Sequence, residues 1–229
     1  MDKSSLFFMH IPKTGGTSFR HILYDYYKSN EVFPNHETLK SEFSGKYPNV
    51  NEFVNLINYS DPSSKVICGH YPYTIVPLLK SNYKTITFIR NPLNRFMSHL
   101  GHLQRVNNYD DINEYFNEKW LQILRVQSRF FGFNYQKPNW FQVDKAIADI
   151  SFIGINEKFD TSIKLFNTIH NTNLKNTKKV NATINKLSYD MLNSENQTEL
   201  IRKLAQEITI YNKCLMKFNR QIRQYNIKE

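Results

Sequence analysis

Cysteine is scarce in this chain, with two in 229 residues, Cys68 and Cys214. They lie far apart and in no metal-binding or redox spacing, which sets aside a disulfide scaffold or a zinc ribbon and fits a reduced, intracellular protein. Long apolar runs are missing as well, and no stretch approaches the roughly 18 residues that would cross a bilayer. A signal-peptide pattern is not seen, because Asp2 and Lys3 lead straight into a short apolar run that reads as a strand. Linkers, repeats and low-complexity blocks are absent too, so a single domain over residues 1–229 and a cytoplasmic enzyme are the expectation. Acidic residues are outnumbered: 20 Asp and Glu against 30 Lys and Arg give a net charge of +10 and a pI near 9.4. That balance implies an anionic partner. A nucleic-acid binder would concentrate its charge, whereas here it is spread along the chain, so a phosphorylated nucleotide or an acidic polysaccharide fits equally well. Three Asn-x-Ser/Thr sites, at Asn58, Asn181 and Asn196, read as chance in so asparagine-rich a sequence.

What is present is globular: 40% hydrophobic and 14% aromatic residues. Four short apolar runs read as buried strands, Leu6–His10, Lys65–Cys68, Thr85–Arg90 and Ser151–Ile155. Helical periodicity follows them. Phe19, Ile22, Leu23, Tyr26 and Tyr27 recur at helical spacing after the first. Asn91 is placed to cap a helix that opens on Pro92, and Phe159, Ile163 and Phe166 stripe a third. Leu200, Leu204, Ile208, Tyr211, Leu215, Phe218 and Ile222 predict one long C-terminal helix. Strands alternating with helices predict an α/β fold, a P-loop-like parallel sheet of four to five strands flanked by helices. Ligands in such folds sit beyond the carboxyl ends of the strands, which directs attention to the residues just after 10, 68, 90 and 155.

Two of those places carry chemistry. After the first strand comes Pro12-Lys13-Thr14-Gly15-Gly16-Thr17-Ser18. Glycines allow a sharp turn and a close backbone approach, and the amides of Gly16, Thr17 and Ser18 would face an anion at a helix N-terminus. Thr17 and Ser18 add hydroxyls and Lys13 a mobile positive charge. Unlike a nucleotide triphosphatase loop, this one has its lysine ahead of the glycines. After the third strand comes Arg90-Asn91-Pro92-Leu93-Asn94-Arg95-Phe96-Met97-Ser98. There an arginine fork and a hydroxyl can receive a second phosphate. Taken alone, Arg90 can equally be a surface ion pair and Ser98 a helix-surface residue.

Together the two elements closely resemble the cofactor-binding signature of sulfotransferases that use 3′-phosphoadenosine 5′-phosphosulfate. The form Pro-Lys-Thr-Gly-Gly-Thr-Ser-Phe is similar to the carbohydrate-modifying branch, heparan sulfate 2-O-sulfotransferases included. The resemblance implies that Lys13, Thr14, Gly15, Gly16, Thr17 and Ser18 hold the 5′-phosphosulfate and that Arg90 and Ser98 hold the 3′-phosphate. Cys68-Gly69-His70-Tyr71-Pro72-Tyr73 resembles that branch's Gly-His element with the catalytic histidine. Arg125–Gly132 is similar to a family segment that follows the nucleotide site and Phe152–Asp160 to a family strand–helix junction. Lys178-Lys179-Val180-Asn181 resembles a late basic loop that closes on the cofactor, which adds Lys179 to the cofactor set.

The implied reaction is in-line sulfuryl transfer to the hydroxyl of an acceptor, a carbohydrate by branch, with His70 as general base and Lys13 stabilising the leaving group. No metal is implied. His10 precedes the loop and could line the site, but strand-end histidines are often structural. His99 and His102, spaced i and i+3, lack an evident third metal ligand and read as solvated or acceptor-facing. Tyr71, Tyr73, Phe130, Phe131 and Trp140 offer rings to a sugar, although aromatic residues are more often core. Two rival readings stand beside this one. A P-loop kinase or nucleotide hydrolase would want a Gly-x-x-x-x-Gly-Lys loop and an acidic magnesium ligand, and neither is found. A non-catalytic binder of nucleic acid or acidic glycan would show steep salt dependence and no selectivity for a 3′-phosphate.

Overall fold

The computed structural model describes residues 5–35, 38–40, 43–44, 46–59, 64–79, 82–107, 111–113, 123–176 and 187–228. Five parallel strands form its sheet: β1 Leu6–Met9, β2 Val32–Phe33, β3 Val66–Gly69, β4 Lys84–Ile89 and β5 Phe152–Ile155, in the order β2-β3-β1-β4-β5. β1, β3 and β5 are buried at every position and β4 at all but its first, as near-continuous apolar runs require when helices cover both faces. Register sets the site. Met9 lies opposite Gly69 and Thr87, and Ile89 opposite Ile155, so His10, His70, Arg90 and Asn156 all emerge at one edge. The winding direction reverses between β1 and β4, where a ligand crevice is expected in an open α/β sheet.

The predicted helices form around this sheet. Gly16–Tyr26 buries Phe19, Ile22 and Leu23. Pro92–Asn107 starts as expected: the Asn91 Oδ1 accepts from the Leu93 and Asn94 amides at 3.1 and 3.2 Å. Phe159–His170 buries Ile163, Leu165 and Phe166. Sequence reading missed the two-residue strand β2 and the helices Val50–Tyr59, Val126–Phe130 and Trp140–Asp149. The predicted C-terminal helix is in fact two, Ser194–Lys203 and Ala205–Gln224, parted at Leu204. Neither glycine nor proline marks the break; it falls where one apolar stripe passes between two cores. Leu200 and Leu204 join Phe96, Met97, Leu100, Ile123, Leu124 and Leu192 in a small cluster, whereas Ile210, Cys214 and Phe218 join the main core under the sheet. Among the described residues, no helix is long and apolar enough to cross a membrane.

Candidate active site

The loop after β1 folds back sharply. Lys13 takes a φ of 68° and Gly15 one of 86°, both in the left-handed region. Its floor is packed from two sides: a Cβ on Gly15 would lie 2.3 Å from the Asn156 Oδ1, and one on Gly16 2.1 Å from the His10 Cδ2. Thr14 is fully buried, and its hydroxyl donates to the Ile11 carbonyl at 2.8 Å. That hydroxyl closes the loop, and Thr14 presents no exposed surface to a ligand. The Gly16–Tyr26 helix begins here with no side-chain cap and no acidic residue in its first turn, so its leading amides have no partner inside the helix. Burial pushes the Lys13 ammonium below its ordinary value, and the nearby Arg105 and Arg90 charges add to the effect.

Arg90 flanks the loop on the β4 side. Its Nη1 donates to the Lys13 carbonyl at 3.4 Å, while its Nε is buried with no hydrogen-bond partner. An unpartnered guanidinium edge beside an open helix N-terminus fits an anionic ligand carrying more than one charged group. Ser98 is half-buried two turns into the following helix. Arg95, between them in sequence, does not join them. It is fully buried and turned away, donating through Nη2 to the Ile123 carbonyl and, at 3.3 Å, to that of Leu124. The Glu157 carboxylate accepts from the Asn91 amide at 2.9 Å and fixes the chain just beyond Arg90.

His70 flanks the loop on the β3 side. Its Nδ1 lies 2.7 Å from the His10 carbonyl oxygen. A carbonyl can only accept, so Nδ1 carries the proton and Nε2 of the neutral ring is left with its lone pair. The ring meets Tyr47 edge-on, 5.1 Å between centroids, and Tyr47 in turn accepts from the Arg20 guanidinium. Burial lowers the His70 pKa; the bond to the His10 carbonyl opposes this and the Arg20 charge reinforces it. His10 itself is a packed residue, stacked on Phe8 at 5.4 Å and closing on Gly16.

Beyond Ser98 the same helix adds two neutral imidazoles and one cation, Arg105. His99 is held near a pKa of about 3 by burial and by the Arg95, Lys13 and His102 charges. His102 is exposed and lowered by burial and then by Lys13 and Arg105. Arg105 was not singled out in the sequence, although its spacing of seven from Ser98 places it on the same helix face. Gln127 and Asn156 were missed for a different reason: their roles depend on partners far along the chain.

Two of the rings offered to a sugar are core residues. Tyr71 is buried against Phe53 at 3.9 Å and donates to the Pro48 carbonyl at 2.7 Å, and Phe131 is fully enclosed. Trp140 packs on Phe133 at 4.8 Å, and the Tyr73 hydroxyl donates to Asp149 at 2.6 Å; Phe130 is only partly buried. Lys179, with Lys178, Val180 and Asn181, lies outside the described residues. Among those described, no group of three or more His, Cys, Asp or Glu side chains could hold a metal ion.

A family model described as "Sulfotransferase family" matches residues 1–222. Among solved structures, the chain is similar to mouse sulfotransferase SULT7A1, crystallised in complex with PAP, at 13% identity and a TM-score of 0.40. The match covers 91% of this chain and 66% of the mouse chain, just under two thirds of that protein's length. No curated protein matches.

Proposed function

The chain belongs to the sulfotransferase family, and from that premise we propose that it transfers a sulfuryl group from 3′-phosphoadenosine 5′-phosphosulfate to a hydroxyl of a carbohydrate acceptor. The observation that carries this reading is that one loop is touched on both sides. His70 bonds to the residue that opens it, at 2.7 Å, and Arg90 bonds to its lysine, at 3.4 Å. The residues read as base, anion cradle and second cationic receiver lie at one sheet edge, which supports the reading. The buried, unpartnered Nε of Arg90 supports a nucleotide with a second phosphate. Bound there, the donor supplies a sulfuryl group already joined to a stable phosphate leaving group. His70 takes the acceptor hydroxyl's proton on Nε2 as that oxygen bonds to sulfur. Lys13 donates to the bridging oxygen as its bond to sulfur breaks and charge collects on the 5′-phosphate. The leading amides of the Gly16–Tyr26 helix hold the phosphate, and Arg90 with Ser98 holds the 3′-phosphate. The carbohydrate acceptor is supported by the form of the loop and by the positive charge that Arg105 adds beside Lys13.

A thermal-shift comparison of 3′-phosphoadenosine 5′-phosphate with AMP and ATP tests the reading. Stabilisation by the bisphosphate above the other two is expected; ATP preference would mark a kinase. Equal, salt-sensitive responses to all three would mark a non-catalytic binder. An acceptor screen with radiolabelled donor then identifies the hydroxyl.

A further inference from the structure

Arg90 stands one residue past the end of β4, where the sheet no longer offers hydrogen-bond partners to its backbone. Both groups are nevertheless bonded, and by a single side chain. The Gln127 Oε1 accepts from the Arg90 amide at 2.9 Å, and the Gln127 Nε2 donates to the Arg90 carbonyl at 3.0 Å. This reciprocal pair substitutes for a missing strand and fixes the direction in which Arg90 leaves the sheet. Gln127 is 1% exposed, and its own segment is gripped at both ends by buried charges. Arg95 holds the Ile123 and Leu124 carbonyls, while the Glu207 Oε1 accepts from the Ser128 amide at 2.9 Å. Neither charge has any exposed surface. Buried charges of this kind cost stability unless well bonded, and apolar side chains would pack the same space more cheaply. What they hold in place is the bracket around Arg90.

We infer that Gln127 is a positioning residue that aims the Arg90 guanidinium at the 3′-phosphate of the donor, and that Arg95 and Glu207 keep it aimed by holding the segment that carries it. The inference rests on the nucleotide reading given above. It makes the discrimination between a 3′-phosphorylated nucleotide and its 5′-monophosphate a property of residues that never touch the ligand.

The test is calorimetric titration of the whole protein with 3′-phosphoadenosine 5′-phosphate and with AMP, for the wild type, Gln127→Ala and Gln127→Glu. In Gln127→Ala the bisphosphate is expected to bind about tenfold or more weakly, the scale of a displaced binding group, with AMP affinity held within about twofold. Gln127→Glu keeps the acceptor for the Arg90 amide and loses the donor for its carbonyl. It is expected to lose part of the preference, and it carries the test alone should Gln127→Ala fail to fold. Equal weakening toward both nucleotides, or a preference that survives in the folded variants, overturns the positioning role and leaves the proposed function standing. A wild type indifferent to the 3′-phosphate overturns the nucleotide reading and this inference with it.

Discussion

The two flanks of the loop after β1 are built by different means. On the β3 flank the parts are close in sequence or on adjoining strands: His70 follows β3 directly, His10 follows β1, and the β1–β3 register brings them together. On the β4 flank, Arg90 is held by Gln127, Gln127 by a segment tied to Arg95, and that segment by Glu207 on the C-terminal helix. One flank is a consequence of strand pairing, the other of a polar relay across more than a hundred residues. Short-range arrangements survive local change, whereas a relay of buried charges fails as a unit.

The loop shared by both flanks gives the largest expected effect. Lys13→Gly removes the ammonium and relieves a side-chain-bearing residue at φ 68°. Turnover should fall about 10²–10³-fold, the scale of one lost transition-state donor, while stability holds or rises by up to about 1 kcal/mol. Single-turnover rates and a melting curve on the same preparation check both halves; a folded variant with near-normal rate would remove Lys13 from the mechanism.

The next break is confined to the β4 flank. Glu207→Ala leaves Arg95 buried without its counter-charge and the Ser128 amide without an acceptor. A stability loss of about 3 kcal/mol or more is expected in denaturant titration. Glu207→Gln, which can keep the bond to Ser128, should lose less. If both variants behave as ordinary surface changes, the flanks do not differ in the way described.

This contrast also sets what could be read from sequence. The loop, β1, β3, β4 and β5 and the Asn91 cap were legible because each rests on local pattern: an apolar run, a capping residue, glycines beside a lysine; His70 was singled out by the family resemblance alone. Arg95 stood inside a recognised element yet proved to face the interior, because residues 95 and 98 are neighbours on one side of the helix and only packing decides which of them is enclosed. Gln127 and Glu207 carry no local signal, since a glutamine in a short helix and a glutamate near a helix start are ordinary. The break at Leu204 was hidden for the same reason, as the apolar stripe runs on through it. Tyr71 and Phe131 show the converse, for composition alone does not separate a ligand-facing ring from a core one.

Acid offers a smaller and graded way to compare the β4 flank with the core away from the site. Burial holds His99, beside Arg95, at a pKa of about 3 and His170, remote from the site, at about 4, both below the ordinary 6.5. The unfolded chain therefore takes up these protons first as pH falls below 6.5, so their contribution is neutral above that value and destabilising beneath it. By pH 5.5 each ring should cost on the order of 1 kcal/mol, visible as a falling melting temperature. His99→Gln should flatten that fall, and His170→Gln should do so independently. Additivity would confirm that His99 titrates apart from the rest of the core.

The smallest expected effect lies on the β3 flank and is a displacement along the pH axis more than a loss of rate. Arg20 bonds to Tyr47, Tyr47 meets the His70 ring edge-on, and the Arg20 charge disfavours a proton on His70. Other groups facing that ring are His10, whose carbonyl accepts the hydrogen bond from Nδ1–H, and Tyr47 itself. With the base neutral above its lowered pKa, kcat/KM should climb with pH below 6.5 and be level through neutrality. Arg20→Met keeps the packed stem and removes the charge, so the ascending limb should move to higher pH. Burial, the largest cause of the lowered value, remains in the variant and limits the displacement. Rates above pH 7.5 should stay within about twofold, because the base is already neutral there in both proteins. Because acid also lowers stability below pH 6.5, the folded fraction of each protein is measured at every pH and the rate is expressed per folded molecule, so that a limb that moves reports the base and not unfolding. A limb that stays where it was would show that His70 is tuned by burial and its bond to His10 alone, and the β3 flank would then be as local as its strand pairing makes it.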